Sequence, residues 1–334
     1  MNGTEAISIG AAQQLAIDAC LACGASPAVA ESLAAATLAA ELAARPELGF
    51  GHLADYLDGM RQGRIDGQAE PLIEQVTPAI TLVDGQRGIP QLGFDRCFEQ
   101  LVETSKALGL ALLVQRNAFT AGELGYFVRR LAQRGLVAIA AANSHAMMAP
   151  AAGGRIAFGT NPLAFAAPRA NALVPLVIDQ ASSATAFVKL ARSAEAGTAI
   201  PAGWALDADG GPTTDPALAV LGALLPFGGA KGANMALLVE VLAAGLTGAA
   251  WSLDAGHFRS GSVNPGTGLT IIAIDPAAID PDFAQRLETQ LHRLAARGVH
   301  VPGEKARPPG PAPLQIPAQV LAAIKAFLVP GQIP

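Results

Sequence analysis

The chain has 334 residues, 22 Lys and Arg against 27 Asp and Glu for a net charge of −5, and 51% hydrophobic positions, which excludes a nucleic-acid binder held by a basic surface and a disordered chain. Its length suggests about two domains in one body. Only 15% of residues are charged, against about 25% in an ordinary globular domain, so surface hidden in a subunit contact, and hence an oligomer, is expected.

Taken in chain order, residues 11–23, 27–44 and 53–61 are Ala/Leu-rich with apolar positions three and four apart, which predicts a helical N-terminal lobe. From Ala79 short apolar runs bounded by Gly, Asp and Pro predict strands over 80–83, 110–114, 137–142, 163–167 and 176–179. Helical stretches over 94–108 and 122–133 fall between the first three, so strand and helix alternate as in α/β layers. A strong helix follows over 231–246, then a strand over 269–274 and an amphipathic helix over 281–296. The Pro-rich stretch 302–317 reads as an extended C-terminal arm before a last helix over 318–328. The 36 Gly and 24 Pro cut the chain by many turns, and a long helical bundle is not expected. The expected division is a helical lobe over 1–75, with 275–334 packing back on it, and an α/β cofactor-binding and catalytic domain over 76–274.

The N-terminus carries Glu5 and no basic head leading into a long apolar stretch, so a cytoplasmic rather than a secreted protein is expected. The most apolar segment, 233–250, is broken by Glu240, Gly245 and Gly248; a membrane span needs ~20 nearly uninterrupted apolar residues, so this is a buried helix. Cys20 and Cys23 form a C-x-x-C without a second pair, and Cys97 stands alone. They read as buried thiols, because a structural zinc needs four ligands.

The motif search mostly fails. The glycines at 49–54 match a dinucleotide fingerprint loosely, without the preceding strand that gives it meaning. The run 228–232 lacks the spacing and the hydroxyl residue of a Walker loop. Lys231 nevertheless opens an apolar helix, where a cation opposes the helix dipole unless an anion lies between them. A phosphate ligand and a solvated lysine both fit. Asp179, Ser182 and Ser183 with His145 or His52 would make a hydrolase triad, but no Gly-x-Ser-x-Gly elbow is present. The five His residues show no metal-ligand spacing, and Asp207 and Asp209 before Gly210 most simply make a turn.

One block does carry a resemblance. Gly159-Thr160-Asn161-Pro162, Ile178-Asp179-Gln180-Ala181-Ser182-Ser183, Pro201-Ala202-Gly203-Trp204, Pro212-Thr213-Thr214-Asp215-Pro216 and Pro226 to Gly232 closely resemble the malate/L-lactate dehydrogenase family, which also includes sulfolactate, ureidoglycolate and cyclic ketimine reductases. Weaker matches run from about Gly49 to Pro302-Gly303-Glu304. The resemblance implies a homodimeric NAD(P)-dependent oxidoreductase with a mixed-sheet, non-Rossmann α/β cofactor-binding domain, which agrees with the missing fingerprint.

Two departures stand out. Members acting on hydroxy acids have Ser-His-Gly, then Arg, then Tyr; read back from Tyr56 without a gap, the His position holds Leu48 and the carboxylate-binding Arg position holds His52. A second family His falls on Thr120. Reducing a ketone creates an alkoxide, and a positioned proton donor contributes roughly 10²–10⁴-fold to that step. Leu48 cannot donate. A protonated cyclic imine needs no acid at the hydride step, and Leu48 beside a ring of CH₂ groups suits it, at ~0.8 kcal/mol per buried methylene. The sequence is therefore most similar to the branch reducing Δ1-pyrroline-2-carboxylate and Δ1-piperideine-2-carboxylate to L-proline and L-pipecolate.

Carried over position by position, the resemblance implies that Thr160 binds the substrate carboxylate with help from His52, whose charge near neutral pH is open to tuning. It places the cofactor along Thr120, Ala121, Gly122, Glu123 and Leu124, at a helix start with free backbone N–H groups, and along Ile178, Asp179 and Gln180 at a strand end. Lys231 becomes the phosphate partner, and Gly303 and Glu304 close the site. The cofactor expected is NADPH, with NADH as the alternative. A 2-hydroxyacid dehydrogenase with its donor moved to His145 or His52, and a catalytically dead binding protein, are the competing readings. No metal is expected.

Overall fold

A computed structural model describes residues 3–170, 174–303, 310 and 312–328. The chain opens with a short strand, β1 (Thr4–Ile7), and three helices, α1 (Ile9–Ala22), α2 (Pro27–Leu42) and α3 (Phe50–Arg61). Ser8 and Ser26 cap the first two by accepting from Ala11 N and Val29 N, and Pro27 sits where its missing N–H costs nothing. Helix α3 begins three residues before the predicted start. Glu41 on α2 accepts the Phe50 N–H at 2.9 Å, supplying from another helix the cap that Gly49 lacks.

The body then alternates: β2 (Leu72–Thr77), β3 (Ile80–Asp84), α4 (Pro90–Leu108), β4 (Leu110–Ala118), α5 (Gly125–Gln133), β5 (Val137–Ala142), β6 (Leu163–Ala167) and β7 (Leu176–Gln180). Next come α6 (Phe187–Glu195), the two-residue strands β8 (Ala205–Leu206) and β9 (Pro212–Thr213), α7 (Pro216–Ala219) and β10 (Ala223–Leu224). Helix α8 (Ala230–Glu240) runs on as a π-turn, Val241–Gly245, before β11 (Thr267–Ile274). The chain closes with α9 (Phe283–Ala295), β12 (Leu314–Pro317) and α10 (Ala318–Ala326).

Seven strands form one mixed sheet, in the order β2-β3-β4-β11-β5-β6-β7. Only β3 and β4 run parallel; every other neighbouring pair is antiparallel. That excludes a doubly wound parallel sheet and accounts for the absent fingerprint. Its central strand is β11, brought in from late in the chain, with Ile271 opposite Leu113 on one side and Ala140 on the other. Helices α4 and α5 cover the sheet with Phe94, Leu101, Phe127 and Leu131, all nearly or wholly buried. Each such side chain contributes about 1.5–3 kcal/mol.

A second core joins Leu33, Leu53 and Leu57 of the helical lobe to Ile316, Ile324 and Phe327 from the chain's end. Part of the predicted extended arm is therefore a strand: Leu314–Pro317 pairs antiparallel with Thr4–Ile7. Its partner lies at the far end of the sequence, so no local pattern marks it. The preceding helix α9 packs elsewhere, adding Leu291 to a cluster with Ala167, Leu176 and Val301 beside the sheet. A three-stranded sheet, β10-β8-β9, was also not expected; its two-residue strands are too short to show alternation. Among the described residues no helix is long and apolar enough to cross a membrane.

Candidate active site

At the end of β4 the chain bends, with Asn117 at φ 54° near its last residue and Gly122 at φ +68° in the tight loop that follows. Tyr56 Oη donates to the Thr120 carbonyl at 2.8 Å, and Gln91 Nε2 to the Ala121 carbonyl at 3.0 Å. A Cβ on Gly122 would stand 2.9 Å from Tyr56 Oη, so glycine is required there. Thr120, Ala121 and Gly122 thereby line one wall of a cavity of about 240 Å³. Thr120 Oγ1 is buried without a hydrogen-bond partner among the described residues. An orphaned hydroxyl in a cavity wall fits a ligand with polar edges.

Glu123 and Leu124 turn away from this cavity. Glu123 pairs with Arg129, and burial pushes its carboxyl above the usual range against the pull of that guanidinium. Leu124 joins the core under the sheet. The first amide of α5 is not free: Gly125 N donates to Asp179 Oδ2 at 2.8 Å. Burial raises the Asp179 carboxyl, opposed by that amide and by Arg45 and Arg129. Asp179 and Gln180 line the cavity, whereas Ile178 is exposed and outside its lining.

The lining also draws on the turn before α3 and on α3 itself. Leu48 and His52 both line the cavity, as does Thr160. Gly159 packs its Cα against Ser144 with no room for a Cβ, and Thr160 N donates to Ser144 Oγ at 3.2 Å. Asn161 holds φ 37° because its amide is clamped: Nδ2 donates to Ala236 O at 2.9 Å and to Glu240 Oε2 at 2.6 Å. Glu240, where α8 meets the π-turn, also accepts from Ser252 N at 2.6 Å and Ser252 Oγ at 2.5 Å. π-turns recur at functional sites for this reason, since one extra residue re-aims a side chain.

His52 is not a bare surface imidazole. Its Nδ1 lies 2.7 Å from Asp55 Oδ2, and its ring meets Tyr56 and Phe258 edge-on. Asp55 in turn accepts from Arg259 Nε at 2.8 Å and Nη2 at 2.9 Å. Burial alone would raise the Asp55 carboxyl, but the hydrogen bonds and charges of His52 and Arg259 outweigh it and hold it at about 2. Arg45 also lines the cavity and donates to the Asp179 carbonyl at 3.0 Å. Sequence reasoning missed Arg45, Asp55, Ser144 and Arg259. Asp55 was within reach, one turn along the helix from His52; Arg259 follows a loop that no local signal ties to α3.

His145 is buried, its Nδ1 lacks a partner among the described residues, and its ring lies 4.3 Å from that of His257. Burial first, and His257 second, pull it down to about 4, so it is neutral near pH 7 and a poor acid. Lys231 is exposed on the first turn of α8, after Gly228 and Gly229 at φ +57° and +63°, and outside the cavity lining. Gly303, at φ +94°, packs where a Cβ would come 3.1 Å from Pro175 O, fixing the arm against the start of β7. Glu304 lies outside the described residues. Ser182 and Ser183 spend their hydroxyls on the carbonyls of Asn161 and Thr185. Cys20 is buried and its thiol raised to about 12 by desolvation, as Cys97 is to about 11.

Residues 7–319 match the malate/L-lactate dehydrogenase family. A (2R)-3-sulfolactate dehydrogenase (NADP(+)) of Chromohalobacter salexigens is 36% identical over 329 residues, 97% of this chain and 98% of that protein. A Δ1-pyrroline-2-carboxylate/Δ1-piperideine-2-carboxylate reductase of Pseudomonas putida is 38% identical over 288 residues, 84% of each chain. The crystal structure of Δ1-piperideine-2-carboxylate reductase from Pseudomonas syringae pv. tomato superposes with a TM-score of 0.86 at 35% identity, covering 91% of this chain and 92% of that one. A match along nearly the whole length and the close superposition agree with the residues from Gly159 to Gly232: the chain belongs to the malate/L-lactate dehydrogenase family of oxidoreductases.

Proposed function

We propose that this protein reduces a cyclic ketimine carboxylate, Δ1-pyrroline-2-carboxylate or Δ1-piperideine-2-carboxylate, to L-proline or L-pipecolate with NADPH. The observation that carries the reading is Leu48 in the cavity wall, an apolar side chain without a proton to give. NADPH, when bound, supplies the hydride. The substrate brings its own proton on nitrogen, so the chain's task is to orient the ring and hold its carboxylate. Thr160 donates to that carboxylate, and His52, fixed by Asp55, assists it. A cavity of about 240 Å³, below the ~300–1,000 Å³ range of drug-sized ligand sites, suits a five- or six-membered ring.

The cofactor lies along Thr120, Ala121 and Gly122, whose orphaned hydroxyl and glycine cradle fit a polar ligand edge, and against Asp179 and Gln180. Glu123 and Leu124, both buried, support this wall from behind, and Ile178, exposed on β7, is a proposed outer contact of the cofactor. Lys231 and the arm at Gly303 and Glu304 are the proposed outer contacts, for the phosphates. The protein is proposed to act in the cytoplasm, as a homodimer: Leu237, Leu238 and Val241 on α8 and its π-turn are each about half exposed, an apolar face that a second copy would cover.

A second reading, a 2-hydroxyacid dehydrogenase with a relocated donor, draws on the His52–Asp55 pair, since a carboxylate at 2.7 Å steadies an imidazolium. Steady-state rates on the two cyclic imines, against pyruvate, oxaloacetate and 3-sulfolactate, with both nicotinamides, decide between them. Imines turned over faster are expected; faster keto or hydroxy acid turnover overturns the first reading.

A further inference from the structure

We infer that Arg259, delivered by the loop between the π-turn and β11 and locked by Asp55, is the residue that anchors the ligand's carboxylate. The inference rests on the proposed class of substrate, a small ring bearing one carboxylate. Among the described residues, two side chains bring a permanent positive charge to the cavity wall, Arg45 and Arg259. Arg45 belongs to the wall of Asp179, whose main-chain carbonyl it binds. Arg259 is tied instead to α3, through Asp55, one turn from His52.

Its geometry is that of a held fork. Nε and Nη2 donate to the two oxygens of Asp55 at 2.8 and 2.9 Å, and Cζ lies 5.1 Å from the centre of the Phe258 ring. A guanidinium presents five N–H donors in one plane. Asp55 takes the Nε–Nη2 edge, leaving Nη1 and the second Nη2 proton as a fork of the right shape for another carboxylate. Nη1 has no hydrogen bond to the described residues. The side chain is 39% exposed, whereas Asp55 is 15% exposed, so the unfilled edge and not the filled one meets solvent.

Asp55 is therefore a positioning residue. One carboxylate fixes His52 through Oδ2 and Arg259 through both oxygens, although the arginine lies 204 residues away in sequence. Its single negative charge is shared between His52 and Arg259, so the arginine's free edge is left to a ligand carboxylate.

The test uses the full-length protein saturated with NADPH, with pyrrole-2-carboxylate as a planar, unreactive probe and pyrrole-2-carboxamide as its uncharged counterpart. Calorimetry should show the carboxylate bound by the wild type and weakened about 10- to 100-fold in Arg259→Leu, the loss expected for charge-assisted hydrogen bonds, with NADPH binding unchanged within about two-fold. Arg259→Lys should recover part of it, and Asp55→Asn should lose about 10-fold in probe affinity and raise the KM of an imine substrate by more than it lowers kcat. Equal binding by wild type and Arg259→Leu, equal loss for the carboxamide, or no binding of the probe by the wild type overturns the inference. Turnover is read separately: a wild type that binds the probe through Arg259 yet reduces neither imine keeps the anchor and sinks the proposed reaction.

Discussion

Two carboxylates organise the site, and they do it differently. Asp55 holds three hydrogen bonds from cationic or ionisable partners, His52 and Arg259, at the cavity edge. Glu240 holds three from neutral donors, Asn161 Nδ2 and the amide and hydroxyl of Ser252, with all three residues buried. The first arrangement leaves charge facing a ligand. The second spends every donor inside the protein, and what it produces is shape: a left-handed Asn161 that sets Thr160 in the cavity wall. Recognition and scaffolding are thus given to separate carboxylates, and each should fail in its own way when removed.

The largest effect should come from the buried cluster. Glu240→Ala leaves donors of Asn161 and Ser252 unsatisfied, at ~1–3 kcal/mol each, so chemical denaturation should show a loss of about 3 kcal/mol or more. A variant as stable as the wild type would mean that the network is dispensable.

His145, on the segment tied to Ser252 through the Ala146 N–H, sharpens the comparison by pH. Its folded pKa, about 4, lies below its unfolded value of 6.5. The unfolded chain therefore binds the extra proton first. Stability is fully present above pH 6.5 and falls as pH drops through 4, by about 3 kcal/mol from this group. His145→Gln should flatten that part of the pH–stability curve, and an unchanged slope would remove His145 as its source.

At the cavity, Thr160→Val should raise the substrate KM about 10-fold or more, since a hydrogen bond to a charged group contributes ~1.5–3 kcal/mol, without a comparable loss of stability. An unchanged KM removes Thr160 from the site. The smallest effect is expected from Leu48→His: imine reduction within about two-fold of wild type, with weak new ketone reduction, because the imine step wants no added acid. A large rise in imine rate would show that a donor had been missing.

Much of the body was legible. The strands over 137–142 and 163–167 were read with their observed bounds, because Ala- and Ile-rich runs between turn residues admit little else. Helix α3 was started late, since its cap comes from Glu41 on another helix. The strand at 314–317 was hidden by its prolines and by a partner at the opposite end of the chain. Of the site, Leu48, His52 and Thr160 were assigned by resemblance and do meet in one cavity, whereas Glu123 and Leu124 point inward and Lys231 stays outside its lining. Nothing around Arg259 in the sequence distinguishes it from a surface arginine.

By itself the sequence determined most of the helices and the inner strands of the large sheet, that no glycine fingerprint opens a parallel sheet, and, through the resemblance, that two imidazoles and an arginine are missing from their usual places, because these follow from local periodicity, turn chemistry and residue identity. Only the tertiary structure decided that β11 is central, that the chain's two ends share a strand pair, and that Arg259 reaches Asp55. Those are contacts between residues far apart in the chain, fixed by how the layers stack, and no local pattern encodes them.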